Sequence, residues 1–141
     1  MNLNLSESYL NGAYYLASSA SVWMGPSFSQ VYLFEPDGFP EALGSFAKLK
    51  KEHFEPFDGT FSDLVYQLFG KDDPADKRIS DALIYVTENE IGEAGAVSVI
   101  RDDKLSIIER KNSPFPFFFA DGAAIVTFPE CVMLMVTGNN E

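Results

Sequence analysis

Residues 96–137 read AVSVIRDDKLSIIERKNSPFPFFFADGAAIVTFPECVMLMVT, and their pattern decides the fold. Ala96 to Arg101 and Leu105 to Arg110 are β-branched runs of strand length separated by Asp102-Asp103, so the pattern predicts a hairpin with Ile100 opposite Leu105 and Val97 opposite Ile108. Phe117 to Ala120 and Ala123 to Phe128 flank Asp121-Gly122. Asp-Gly between apolar runs is the strongest short hairpin signal, because both central residues need positive φ. Pro129-Glu130 interrupts the chain, and Cys131 to Thr137 then reads as a strand apolar on both faces, central or covered by helices. Pro114 and Pro116 cannot donate to a ladder, so the strand around Phe117 begins after them or lies at an edge.

Upstream, Phe28 to Glu35 alternates as a strand, with Phe28, Gln30, Tyr32 and Phe34 on one face and Val31 and Leu33 on the other. Glu35-Pro36-Asp37-Gly38 ends it in a turn. Three helices follow. The first opens at Pro40 with Ala42, Leu43, Phe46, Ala47 and Leu49 as its apolar face. The second has Thr60 as cap, Asp63 at the capping-box position, apolar residues at 61, 64, 65, 68 and 69, and Gly70 as its stop. The third opens at Asp73-Pro74, and its end is ambiguous: residues 83–87 also suit a strand, and Glu88, Glu90 and Glu93 oppose a helix C-terminus.

Met1 to Trp23 admits two readings. Asn11-Gly12 suits a hairpin turn, whereas Leu10, Ala13, Tyr14, Ala17 and Ala20 fall at helical spacing, and the balance favours a helix. Gly12 within it costs about 1 kcal/mol relative to alanine. The fold expected is α+β: an antiparallel sheet of about five to six strands, from the 96–137 meander plus strand 28–35, with three to four helices packed mainly on one face. Residues 1–141 read as one domain, long enough to remove roughly two-thirds of the unfolded surface from water.

One cysteine excludes an intramolecular disulfide, no signal-peptide pattern opens the sequence, and no apolar run reaches membrane-spanning length. A cytoplasmic location is expected. Charge is the unusual feature: 21 acidic against 10 basic residues give a formal net charge of -11. Residues 35–93 hold 14 acids and 6 bases, whereas Met1 to Phe34 carries Glu7 as its only charge. Such acidity repels nucleic acid and anionic membranes and steers cationic partners inward.

Motifs for chemistry are sparse. Cys131 and His53, the only residues of their types, could form a nucleophile and base, but a lone cysteine in an apolar run is ordinarily a small buried hydrophobe. His53 with Glu52, Glu55 and Asp58 has ligand-capable types, yet one histidine after a helix is ordinarily solvated. Asp72-Asp73-Pro74-Ala75-Asp76 lacks the glycine and terminal glutamate of a calcium loop, and helix capping accounts for its acids. Gly92 to Gly95 is too short and acidic to cradle phosphate. No enzyme, metal or cofactor is expected.

Three functional readings remain. The leading one is an immunity-type inhibitor, a small acidic protein that neutralises a basic toxin or nuclease by covering it, with Asp72, Asp73, Asp76, Glu88, Glu90 and Glu93 as contact residues. A second is a phage-type DNA mimic that blocks a defence nuclease, which requires carboxylates spaced like phosphates. A third is a small-ligand or enzymatic domain whose pocket is lined by Tyr9, Tyr14, Tyr15, Trp23 and Tyr32. The phenylalanines at 115 and 117–119 offer a further surface unless helices cover them.

Overall fold

In the computed structural model, which describes residues 2–20, 26, 28–108 and 119–139, five antiparallel strands form one sheet. They are β1 (Phe28–Phe34), β2 (Phe54–Pro56), β3 (Val97–Ile100), β4 (Phe119–Thr127) and β5 (Val132–Asn139), in the order β1-β5-β4-β3-β2. Four α-helices accompany them: α1 (Leu3–Ala20), α2 (Phe39–Ala47), α3 (Phe61–Phe69) and α4 (Pro74–Ile91). The fold is α+β.

Strand alternation divides the core. Val31, Leu33, Val97, Ala124, Val126, Met133 and Met135 face α1, α3 and α4, whereas Ile100, Ala123, Ile125, Val132, Leu134 and Val136 face α2 and the 3-10 turn Asp102–Ile107. Three of the four α-helices therefore lie on one face. The apolar run at 131–136 is explained by this two-sided covering, and β5 sits between β1 and β4 as its composition predicts. On β1 the expected faces hold: Val31 and Leu33 are buried under α1, and Tyr32 and Phe34 stack on Phe46 and Phe39 of α2 at centroid separations of 4.7 to 5.7 Å.

Helix α3 is bounded as its sequence predicts. Asp63 N–H donates to Thr60 Oγ1 (3.2 Å), Thr60 N–H donates back to Asp63 Oδ2 (2.8 Å), and Gly70 ends the helix. In α4, Asp73 caps and residues 83–87 remain helical because Ser80, Leu83, Thr87 and Ile91 form a buried stripe at helical spacing. Two of the opposing glutamates find partners. Glu88 accepts from the Ala94 N–H (2.9 Å), and Glu90 accepts from the Ser6 hydroxyl (2.7 Å).

Residues 3–20 are helical, and Asn11 serves a neighbour instead of a turn. Its carboxamide accepts from Val31 N–H and donates to Val31 C=O, both at 2.8 Å, and Glu7 Oε2 accepts from Leu33 N–H at 2.8 Å. Helix α1 thus occupies three outward backbone groups of edge strand β1, as another strand would. The opposite edge is kept short: β2 has three residues and ends in Pro56, which has no N–H to offer.

Two expected hairpins do not form. Val97 pairs with Val126 and Ile100 with Phe54, so both edges of β3 are occupied by β4 and β2 and none is left for residues 105–110. Asp102–Ile107 instead coils as a 3-10 turn, which buries Ile108 in the second core cluster. Asp121-Gly122 is not a turn. Strand β4 runs through it with a register shift between Ala120 and Gly122, because β5 pairs with β4 from Phe119 to Thr127. The dipeptide supplies a bulge, which an Asp-Gly step accommodates as readily as a reversal. Gly122 lies close to β5, where an added Cβ would come within 3.2 Å of Thr137 Oγ1. Glu109, Arg110, Pro114, Phe115, Pro116, Phe117 and Phe118 lie outside the described residues, as does Trp23.

Candidate functional site

Helices α3 and α4 are joined by the four residues 70–73 and fold back on one another, with Ser80 Oγ donating to Gly70 C=O at 2.6 Å. Asp63, Tyr66, Gln67 and Gly70 recur at helical spacing along α3 and so share one side of it. With Lys71, Asp72, Asp73 and Asp76 they line an open cavity of about 600 Å³. Four carboxylates against one ammonium make this corner strongly negative.

The carboxylates differ in what they do. Thr60 holds Asp63 through its N–H (2.8 Å) and hydroxyl (3.0 Å), which lowers its pKa below the ordinary carboxylate value. Asp73 Oδ1 accepts from Ala75 N–H at 2.8 Å and Asp76 N–H at 3.4 Å. Asp72 is exposed. Asp76 is only 3% exposed, and its Oδ2, shielded from solvent, has no hydrogen-bond partner. Beside the cavity, Tyr66 donates to Asp81 Oδ1 at 2.5 Å while Lys77 Nζ meets Asp81 Oδ2 at 2.8 Å. Those two bonds lower the Asp81 pKa, and the same carboxylate raises that of Tyr66.

Of the six acids singled out in the sequence, the structure brings three together. Asp72, Asp73 and Asp76 share the cavity, whereas Glu88, Glu90 and Glu93 stand at the other end of α4, about 18 Å away along the helix at 1.5 Å per residue. Sequence reasoning passed over Asp63, Tyr66, Gln67 and Lys71. Their signal was the short link between two capped helices, which forces the C-terminal end of α3 against the start of α4.

The other candidates are dispersed. Tyr14 is fully buried and donates its hydroxyl to Thr87 Oγ1 (2.9 Å), since the Thr87 hydroxyl itself donates to Leu83 C=O. Tyr32 donates to Gln30, and burial, then Glu7, pushes its pKa up to about 12. Tyr9 and Tyr15 are exposed on α1 along with Leu5 and Leu16. None of these tyrosines lines the α3–α4 cavity or a smaller one of about 250 Å³ between Phe57, Leu68, Val99 and Met135. The Cys131 thiol is buried and pushed up to about 11, first by desolvation and then by Glu130 and Glu35. His53 precedes β2, which lies three strands from β5, about 14 Å at 4.8 Å per strand, so it is out of reach as a base for Cys131. Among the described residues no three His, Cys, Asp or Glu side chains gather to hold a metal ion, and no helix is long and apolar enough to cross a membrane.

His53 itself gives a pH-dependent prediction. Its Nδ1 accepts from Lys50 N–H at 3.0 Å, and burial, then Lys104, with Lys50 and Arg101 contributing, lowers its pKa below 6.5 despite the nearby Glu52. A lowered folded pKa favours the neutral ring, so its contribution to stability is complete above the unfolded value of about 6.5 and is lost as pH falls through the folded one. An NMR titration of the imidazole should place its midpoint below 6.5. A midpoint above that value, as the net charge alone would produce, would show that the local bases do not govern this ring.

Compared with protein-family models, curated proteins and solved structures, the chain matches none of them. The reading of its function therefore rests on its own residues.

Proposed function

We propose that this chain is a non-enzymatic acidic binding protein that captures a basic protein, in the manner of an immunity inhibitor neutralising a toxin or nuclease inside the cell that makes it. The observation that carries this reading is the α3–α4 corner, where four carboxylates surround a concave surface with one lysine among them. A net charge of -11 extends the attraction beyond that corner, and Glu93, exposed past the far end of α4, adds to the same field. Glu88 and Glu90 contribute through this field too, because their carboxylates already serve Ala94 and Ser6.

Affinity capture from the native host supplies the partner, and stopped-flow association at several salt concentrations tests the reading. The association rate should fall steeply as ionic strength passes 0.1 M, where the Debye length is about 10 Å, while dissociation changes much less. Asp72→Lys, which alters an exposed side chain with no capping role, should slow association severalfold at low salt and little at high salt. A flat salt response, or an Asp72→Lys rate equal to wild type, would move the contact away from this corner and remove the reason for proposing an inhibitor.

A further inference from the structure

We propose that the outward face of α1 pairs with the same face of a second copy of this chain, the two helices running antiparallel and crossing at Gly12. This goes beyond the capture of a basic protein and does not rest on it, and the face includes none of the residues that line the α3–α4 cavity.

Gly12 stands mid-way along α1, where glycine weakens a helix relative to alanine. Nothing within the chain calls for it. It is exposed, its φ is not positive, and a Cβ added there would meet no atom within 4 Å. A glycine open on its outer side admits the backbone of another molecule to close range.

Around Gly12 the face is apolar and uncharged. Leu5 and Leu16 are each 68% exposed, Tyr15 62% and Tyr9 55%. With about 200 Å² in each tyrosine, the four side chains offer on the order of 400 Å² of largely apolar surface, the extent at which a patch marks an interaction site. No exposed residue of α1 is charged, and its one carboxylate, Glu7, is half-buried and bonded to Leu33 N–H. In a chain of net charge -11, a second copy can therefore meet this face without setting the carboxylates of α1 against each other. Two such faces bury about 800 Å² between them before the smaller residues are counted, which suits a reversible pair and not an obligate one.

Spacing selects a second copy as the occupant. Residues three, four and seven positions to either side of Gly12 share its face. A two-fold axis through Gly12 sets each of them against the residue equally far from Gly12 on the other side. Leu16 then meets the second copy's Ser8, Leu5 its Ser19, and Tyr9 its Tyr15, so each leucine lies over a small residue and the rings meet each other. The axis repeats every contact, so one face supplies both halves of the interface.

Sedimentation equilibrium of the intact chain, from micromolar to millimolar concentration, tests the pairing. The mass should rise toward twice that of the monomer, and the dissociation constant should tighten severalfold from low to high salt, because screening relieves repulsion between two copies of charge -11. Capture of a basic protein responds to salt in the opposite sense, so the two proposals fail separately. Gly12→Ala should weaken the dimer about tenfold while leaving the helix of the monomer at least as firm, as circular dichroism would report. Leu16→Glu, at an exposed position, should abolish association with the fold intact. Adding Ser8→Lys to it sets an opposite charge across the axis and should restore association, whereas adding Asn4→Lys, equal in charge but a turn away, should restore less. A chain monomeric at millimolar concentration in high salt, a Leu16→Glu dimer as tight as wild type, or equal recovery with the two lysine substitutions would overturn the pairing. So would a monomer that instead binds phosphatidylcholine vesicles through α1, which would assign the face to a lipid surface.

Discussion

Asn11→Leu is expected to destabilise the protein by about 3 kcal/mol, since it leaves both the N–H and the C=O of Val31 without partners in a part-buried setting, at roughly 1–3 kcal/mol for each unsatisfied group. The loss has a second consequence. Strand β1 would present free backbone groups along its outer side, and an unprotected edge invites pairing with another chain. Glu7→Gln keeps an acceptor for Leu33 N–H and should cost less than about 1 kcal/mol, which separates loss of the bond from loss of the charge. Urea unfolding measures the first effect and sedimentation velocity the second. An Asn11→Leu protein within about 0.5 kcal/mol of wild type would show that the carboxamide does not seal this edge.

Met133→Ala and Leu134→Ala should each cost about 2–5 kcal/mol, although their side chains leave β5 in opposite directions. Met133 is buried beneath the α1, α3 and α4 layer, and Leu134 lies in the cluster with α2, both without solvent exposure. In a sheet open to water on one face, one of the two substitutions would be nearly free. Together they should leave too little of the 5–15 kcal/mol typical of a domain for a cooperative transition at room temperature. Denaturant titration followed by circular dichroism checks this, and a mild effect at Leu134 would show that the α2 side is not a packed core.

What could be read in advance follows from how local the determining contacts are. Helix α3 carries its own cap, acid and stop, so the eleven consecutive residues from Thr60 to Gly70 suffice to place it. Strand β1 is legible through alternation, because its two faces meet different layers. The Asp102-Asp103 and Asp121-Gly122 steps misled, since turn chemistry permits a reversal but the choice belongs to distant strands: β2 and β4 claim β3, and β5 claims the length of β4. Strand β2 gave no signal, being three residues held by pairing with β3 and by the burial of Phe54. At the candidate site, Asp72, Asp73 and Asp76 stood out by density, whereas Asp63, Tyr66, Gln67 and Lys71 join them only when two helices close on each other. The unpaired oxygen of Asp76 has no counterpart in sequence.

The pairing of β1 with β5 joins Phe28 to Gly138, 110 positions apart. At a synthesis rate of roughly 5–20 residues per second, β1 leaves the ribosome about 5–20 s before β5, its strand partner among the described residues, does. During that interval α1 is already complete and can cover one edge of β1 through Asn11 and Glu7, while the other edge waits. Order of synthesis and order of assembly are therefore opposed in this chain, and the nascent protein has the β5-facing edges of β1 and then of β4 for a chaperone to shield until residues 132–139 arrive.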